Sequence, residues 1–254
     1  MGIGKRYWFI SIFEVEKIVV KFSILIPAYN EEKYIERCIN SIPKQDNVEI
    51  WICDDCSTDD TYKILNKLDK RKDTYIIWHG KNEGRAKTTS DLLWHARGNI
   101  ILKLDADMEI ISKDIFTKLI DIYKDGRVGG VAIFGHKRGF ERRQKGWSRI
   151  EFMVYNMVDR RKAKILPIDN LKDLKHPLDI HCWRKELVPT IPSDIIHDDG
   201  YAALEILRQG YRIVNGNIII HHLKPPSSLK EMYKVRKRGR EGWKQLEKIF
   251  KVKL

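Results

Sequence analysis

The sequence predicts an α/β fold with a Rossmann-like, mostly parallel central sheet flanked by helices. From Phe22 onward, short apolar runs alternate with longer amphipathic ones, four times in succession. Strands that alternate with helices imply right-handed crossovers and a parallel sheet covered on both faces. Three of the four apolar runs also end on carboxylates, and ligands of such sheets bind beyond the carboxyl ends of the strands.

The first strand is "FSILIPA" (22–28). Tyr34, Ile35, Cys38, Ile39 and Ile42 then share one face of a helix that Asn30 should start. "VEIWIC" (48–53) is the second strand. Ser57 and Asp60 resemble a capping box that opens a helix whose apolar face is Tyr62, Leu65 and Leu68. "TYIIWH" (74–79) is the third strand, before a helix carrying Ala86, Leu92, Leu93 and Ala96. "NIILKL" (99–104) is the fourth, and it runs directly into Asp105-Ala106-Asp107.

With 43% hydrophobic and 33% charged residues among 254, and no Pro- or Gly-rich tract or repeat, the chain is neither disordered, collagen-like nor a solenoid. Its net charge of +13 is uneven: residues 136–164 carry ten Lys/Arg against three Asp/Glu, and residues 224–254 carry eleven against three. Such a field attracts phosphate on a nucleotide-linked substrate, a nucleic acid or an anionic membrane, and the sign alone does not choose. No run reaches the roughly 18 apolar residues of a spanning helix. "YWFISIF" (7–13) stops at Glu14 with no cleavage site after it, and Arg6 stands where myristoylation wants Ser or Thr. The four cysteines are too scattered for a disulfide framework. The expected location is cytoplasmic, peripheral at the inner membrane face if the basic segments meet anionic lipid.

Asp105 and Asp107 lie two apart in an extended segment, so both carboxylates can face one hard cation. A D-x-D alone is weak evidence, since surface turns often contain one. Its place at a strand's carboxyl end strengthens it. In "CDDC" (53–56) a redox or zinc role for the sulfurs is disfavoured: zinc lacks further ligands nearby, and adjacent carboxylates weaken a thiolate. Asp54 and Asp55 can instead accept hydrogen bonds from a base or ribose, or simply form an acidic, helix-capping turn.

Taken in order, "SILIPAYNEEKYIERCINSI", "DDCSTDDT", "NEGRAKT" and "GNIILKLDADM" resemble the nucleotide-sugar half of glycosyltransferase family 2, whose members have the GT-A fold. The resemblance is strong over about residues 22–108. It implies that Pro27, Ala28, Tyr29, Glu31, Asp54, Asp55, Asn82, Gly84, Arg85, Asp105 and Ala106 hold a nucleoside-diphosphate sugar, with Asp105 and Asp107 at Mn²⁺ or Mg²⁺. "HDDGYAALEILRQGYRI" resembles the family's Glu-Asp motif, which makes Asp199 the catalytic base and puts Asp198 in the place of the Glu. The other reading is an acidic helix N-terminus favoured by the dipole. "NIIIHH" ends in two histidines, of which His221 aligns best as a further metal ligand. Adjacent strand residues face opposite ways, so only one of the pair can serve. Arg238, Arg240 and Trp243 in the basic tail do not match the spacing of the family's Gln-x-x-Arg-Trp motif. Cys56 departs from the Gly usual in relatives, and a side chain there limits positive φ.

The implied reaction is metal-dependent transfer of a sugar, with inversion, from a nucleoside-diphosphate sugar to a hydroxyl or polyprenyl-phosphate acceptor, glycan or lipid-linked. An anionic membrane surface is a further candidate partner and nucleic acid is not expected. A non-enzymatic polyanion binder is the rival from another class, opposed by acidic clusters at the strand ends. A sugar nucleotidyltransferase would carry a Gly-rich, Arg-containing N-terminal loop, where this chain has "PAYNEE". The expected organisation is an N-terminal extension (1–21), a nucleotide-sugar half (22–135), an acceptor half of the same domain (136–222) and a basic amphipathic C-terminal helix (223–254).

Overall fold

In chain order the elements are β1 (Phe22–Ala28), α1 (Ile35–Ser41), β2 (Val48–Asp54), α2 (Thr61–Leu68), β3 (Thr74–Trp78), α3 (Arg85–His95), β4 (Ile100–Lys103), β5 (Met108–Ile110), α4 (Ile115–Ile122), β6 (Val128–Ala132), β7 (Cys182–Arg184), α5 (Asp198–Arg208), β8 (Arg212–Asn215), β9 (Ile220–His222) and α6 (Leu229–Phe250). The structure, a computed structural model, describes residues 21–68, 72–133, 164, 166–224 and 228–254. "YWFISIF" and all of the basic 136–164 segment except Lys164 lie outside these.

The sheet runs β3-β2-β1-β4-β7-β6-β8. Its first four strands are parallel, β7 is antiparallel to both β4 and β6, and β8 is parallel to β6. The order reverses between β1 and β4, which opens a crevice at their carboxyl ends. An antiparallel ribbon, β5 with β9, flanks that crevice.

Strand alternation divides the core in two. Phe22, Ile24 and Ile26 of β1, Ile50 and Ile52 of β2 and Leu102 of β4 join one cluster with α1, α2 and α4. Leu25, Trp51, Cys53 and Ile101 join the other, with α3, α5 and the C-terminal part of α6. On this second face, two residues beyond Ile101, Lys103 is 2% exposed in a strand otherwise wholly apolar.

Several local expectations need correction. Asn30 does not start α1: it has φ 56°, and its carboxamide oxygen accepts from the Thr58 N–H at 2.7 Å while Tyr34 takes the N-cap position. Ser57 and Asp60 form no capping box, because Ser57 is held by Asp54 and by the Asn30 N–H. Asp59 accepts instead from the Thr61 N–H at 3.0 Å. Tyr62 does not face the core but is 53% exposed against Trp78. The apolar stripe of α6 is only partly used: Leu246 is buried, whereas Leu229, Tyr233 and Ile249 are exposed.

Candidate active site

The loops after β1, β2, β3 and β4 converge on one cleft of about 730 Å³. The first two are stitched together by Asn30 with Ser57 and Thr58, and by the Glu31 N–H donating to Thr61 Oγ1 at 2.8 Å. The third is shaped by Asp55. This buried carboxylate accepts from the N–H groups of Glu83 (2.8 Å) and Gly84 (2.9 Å) and contacts His79 Nδ1 at 2.8 Å. Gly84 has φ 87°, which a Cβ would strain, and its turn delivers Arg85 to the start of α3.

Every residue that the resemblance assigns to the nucleotide sugar lines this cleft except Asp54. Asp54 is buried and bound to the Ser57 hydroxyl, so it braces the turn behind the wall. His221 is a second departure. His222 lines the cleft, while His221 lies 4.0 Å from Glu109, because the β5–β9 register pairs His222 with Met108 and His221 with Glu109.

The charges interlock. Arg85 Nη2 lies 2.6 Å from Asp105 Oδ1, and Lys103 Nζ lies 3.6 Å from the same oxygen. Burial would raise Asp105, but Arg85 first and then Lys103 hold it well below the usual carboxylate range. Asp107 is pushed up to about 7 by burial and by the neighbouring Asp105 and Glu31. Burial raises Glu31 against the pull of Lys224, 2.9 Å away. Of the lining cations, Arg85 and Lys224 are thus engaged, and Arg238 makes no ion pair among the described residues.

Asp198 and Asp199 stand behind Asp105 and do not line the cleft. Lys103 Nζ is 3.0 Å from Asp198 Oδ2 and 2.7 Å from Asp199 Oδ1. Burial works to raise Asp198, but Lys103 and Arg85 bring it to about 2. Asp199 is raised, chiefly by burial, with Lys103 opposing. Lys103, Thr88, Lys224, Glu231 and Val235 are the site residues that sequence reasoning missed; His222 was the less favoured of the two histidines, and Arg238 was named without a role. For Lys103 the signal was present, as a lysine inside an apolar strand.

The sulfurs of "CDDC" take no part in the cleft. Burial, with Asp55, Asp91 and Asp54 nearby, pushes the Cys53 thiol far up, and its Sγ contacts His79 Nε2 at 3.3 Å. Cys56 has φ 62°, a left-handed conformation that glycine adopts freely.

The profile of Glycosyl transferase family 2 matches residues 23–180, and the chain belongs to that family. Among relatives, the poly(ribitol-phosphate) beta-N-acetylglucosaminyltransferase TarS of Staphylococcus aureus is 36% identical over 101 residues, 38% of this chain and 18% of its own length. The GalNAc(5)-diNAcBac-PP-undecaprenol beta-1,3-glucosyltransferase of Campylobacter jejuni is 29% identical over 120 residues, 46% of this chain and 38% of that one. The chain therefore spans well under half the length of either. Among solved structures, the mannosyltransferase PcManGT from Pyrobaculum calidifontis, in complex with GDP-Man and Mn²⁺, superposes with a TM-score of 0.63 at 22% identity, covering 86% of this chain and 61% of that one. TarS 1–349 of S. aureus in complex with UDP-GlcNAc gives 0.55 at 21%, covering 77% and 58%. The fold is that of the GT-A glycosyltransferases.

Proposed function

We propose that this chain transfers a sugar from a nucleoside-diphosphate sugar to a hydroxyl of a glycan or lipid-linked acceptor, with inversion and with a divalent cation. The observation that carries the reading is the mixed lining of the cleft. Asp105, Asp107 and Glu31 face Arg85, Lys224 and Arg238 at the sheet's switch point, a setting for a diphosphate and the metal it brings. A pure polyanion site would not line its cleft with three carboxylates, and this disfavours the binding-protein alternative.

The residues fit such a metal. Asp107 is a half-buried carboxylate whose nearest charged neighbours include two more acids, and a dication would relieve that crowding. No three His, Cys, Asp or Glu side chains among the described residues form a complete site. Mg²⁺ or Mn²⁺ can be held by one or two carboxylates together with substrate phosphates. Asp107 would hold it, with His222 in place of the expected His221 and Asp105 beside them. When bound, the ion offsets charge developing on the leaving diphosphate.

The chain's own groups do the rest. Tyr29 and Asn82 would border the nucleoside, and Asp55 keeps the Asn82–Arg85 loop in place. Arg85 and Arg238 would meet the diphosphate. Asp199 would accept the proton from an acceptor hydroxyl attacking the anomeric carbon on the face opposite the leaving group. The acceptor is expected on the Asp199 side. No helix among the described residues is long and apolar enough to cross a membrane. Contact with anionic lipid would fall to the exposed, cation-rich start of α6, where Tyr233 is also exposed.

A thermal-shift screen of nucleoside diphosphates and nucleotide sugars with Mn²⁺ tests the reading. A cognate ligand at about a hundred times its Kd adds about 2.7 kcal/mol of stability. A folded protein that no member of the panel stabilises contradicts the reading.

A further inference from the structure

We propose that Lys103 is a positioning residue for transfer: its buried ammonium holds Asp199 by one carboxylate oxygen and so aims the other at the acceptor. The inference rests on the transferase reading above, with Asp199 as base.

The fold gives no reason for a charge at this position. Ile100, Ile101 and Leu102 precede Lys103 in a strand covered on both faces, and a methionine would fill similar volume without taking an ammonium out of water. What Lys103 meets supplies the reason. Its Nζ lies 2.7 Å from Asp199 Oδ1, 3.0 Å from Asp198 Oδ2 and 3.6 Å from Asp105 Oδ1.

The two aspartates are held differently. Asp198 is 2% exposed, and its Oδ2 also accepts from the Thr89 hydroxyl at 2.9 Å, so it is enclosed and acts as an anchor. Asp199 keeps 14% of its side chain exposed. One of its oxygens is on Lys103, and the other makes no hydrogen bond among the described residues. Without the ammonium, two adjacent carboxylates at one helix start would repel and turn apart. A base misaimed by about 1 Å can lose about a hundredfold in rate.

Lys103 also ties the two halves of the site together. Asp105 lines the donor cleft and Asp199 does not, and Lys103 reaches both. Its amine stands between the two carboxylates, 3.6 Å from Asp105 and 2.7 Å from Asp199.

The test uses the full chain and the nucleotide sugar that stabilises it most in the screen. Cleavage of that donor, with water or a sugar hydroxyl as acceptor, is followed by release of nucleoside diphosphate. Lys103→Met should lower kcat at least about a hundredfold while the Kd for the nucleoside diphosphate stays within about threefold. Lys103→Arg, which keeps the charge, should retain more activity than Lys103→Met. If Lys103 acts through Asp199, the double variant Lys103→Met/Asp199→Asn should be no slower than Asp199→Asn alone. The double variant removes both charges together, and it keeps the comparison available should Lys103→Met alone fail to fold.

A Lys103→Met enzyme with wild-type kcat, or a double variant slower than Asp199→Asn by the full Lys103→Met factor, overturns the proposal. A wild-type protein that neither binds nor cleaves any nucleotide sugar overturns the transferase reading itself, and the role of Lys103 with it.

Discussion

The Trp243 indole lies so close over Gly200 that a Cβ added there would meet its Cζ2 and Cη2 at 2.8 Å. This contact docks the second half of α6 on the start of α5, where Asp198 and Asp199 stand. About one to two turns earlier, α6 carries Val235 and Arg238 to the cleft.

Gly200→Ala should therefore destabilise the fold by about 1–3 kcal/mol, as overpacking does. It should also loosen α6, visible as faster proteolysis within residues 229–250 and weaker binding of nucleoside diphosphate. Wild-type protection of α6 in this variant would show that the contact yields without cost.

Cys56 is held at φ 62°, where a β-carbon is unfavourable. Cys56→Gly should raise stability in urea by about 0.5–1 kcal/mol and preserve or improve donor binding. Loss of activity as large as that of Asp55→Asn would instead return the sulfur to the chemistry.

Asp55 is 4% exposed and serves two backbone N–H groups. Asp55→Ala strands both donors, and stability should fall by about 2 kcal/mol or more, with the nucleotide affinity falling as well. A variant of wild-type stability would mean that water replaces the carboxylate and that the Asn82–Arg85 loop is held otherwise.

Asp107 carries a pH signature. Its ordinary value is 3.8, and in the fold it is pushed up to about 7 by burial, Asp105 and Glu31. Between those values the folded protein holds a proton that the unfolded chain has released. The metal-free protein should therefore lose stability as pH rises from about 4 to about 7. Asp107→Asn should flatten that slope, and added Mn²⁺ should restore stability at the upper end. Equal slopes in wild type and variant would show that Asp107 is not the group that titrates there, and equal stabilisation by Mn²⁺ in the two would remove it from the metal site.

How much of this could be read in the sequence depended on what sets each feature. The four parallel strands were legible because strands buried on both faces are unbroken apolar runs, and the polar residues that end them fall on the ligand edge. Orientation was less legible where a partner decides it. Period two says that His221 and His222 face opposite ways, but only the pairing with β5 says which one enters the cleft. Ser57 looked like a helix cap by spacing alone, and it lost that role because Asp54 and Asn30 claim its hydroxyl from a distance in sequence. Asp54 and Asp55 read as equivalent acids, yet one braces a turn and the other shapes a loop. Lys103 was passed over because an apolar run tolerates one long aliphatic stem, and its three carboxylate partners lie 2, 95 and 96 residues away, beyond any local pattern.

The most direct test of the central claim is release of nucleoside diphosphate from the stabilising nucleotide sugar, measured with Mn²⁺ and with chelator, for wild type and Asp107→Asn. Wild type with metal should turn over, with at least about a hundredfold less release with chelator or in the folded variant. Equal turnover by Asp107→Asn, or cleavage indifferent to chelator, would contradict it.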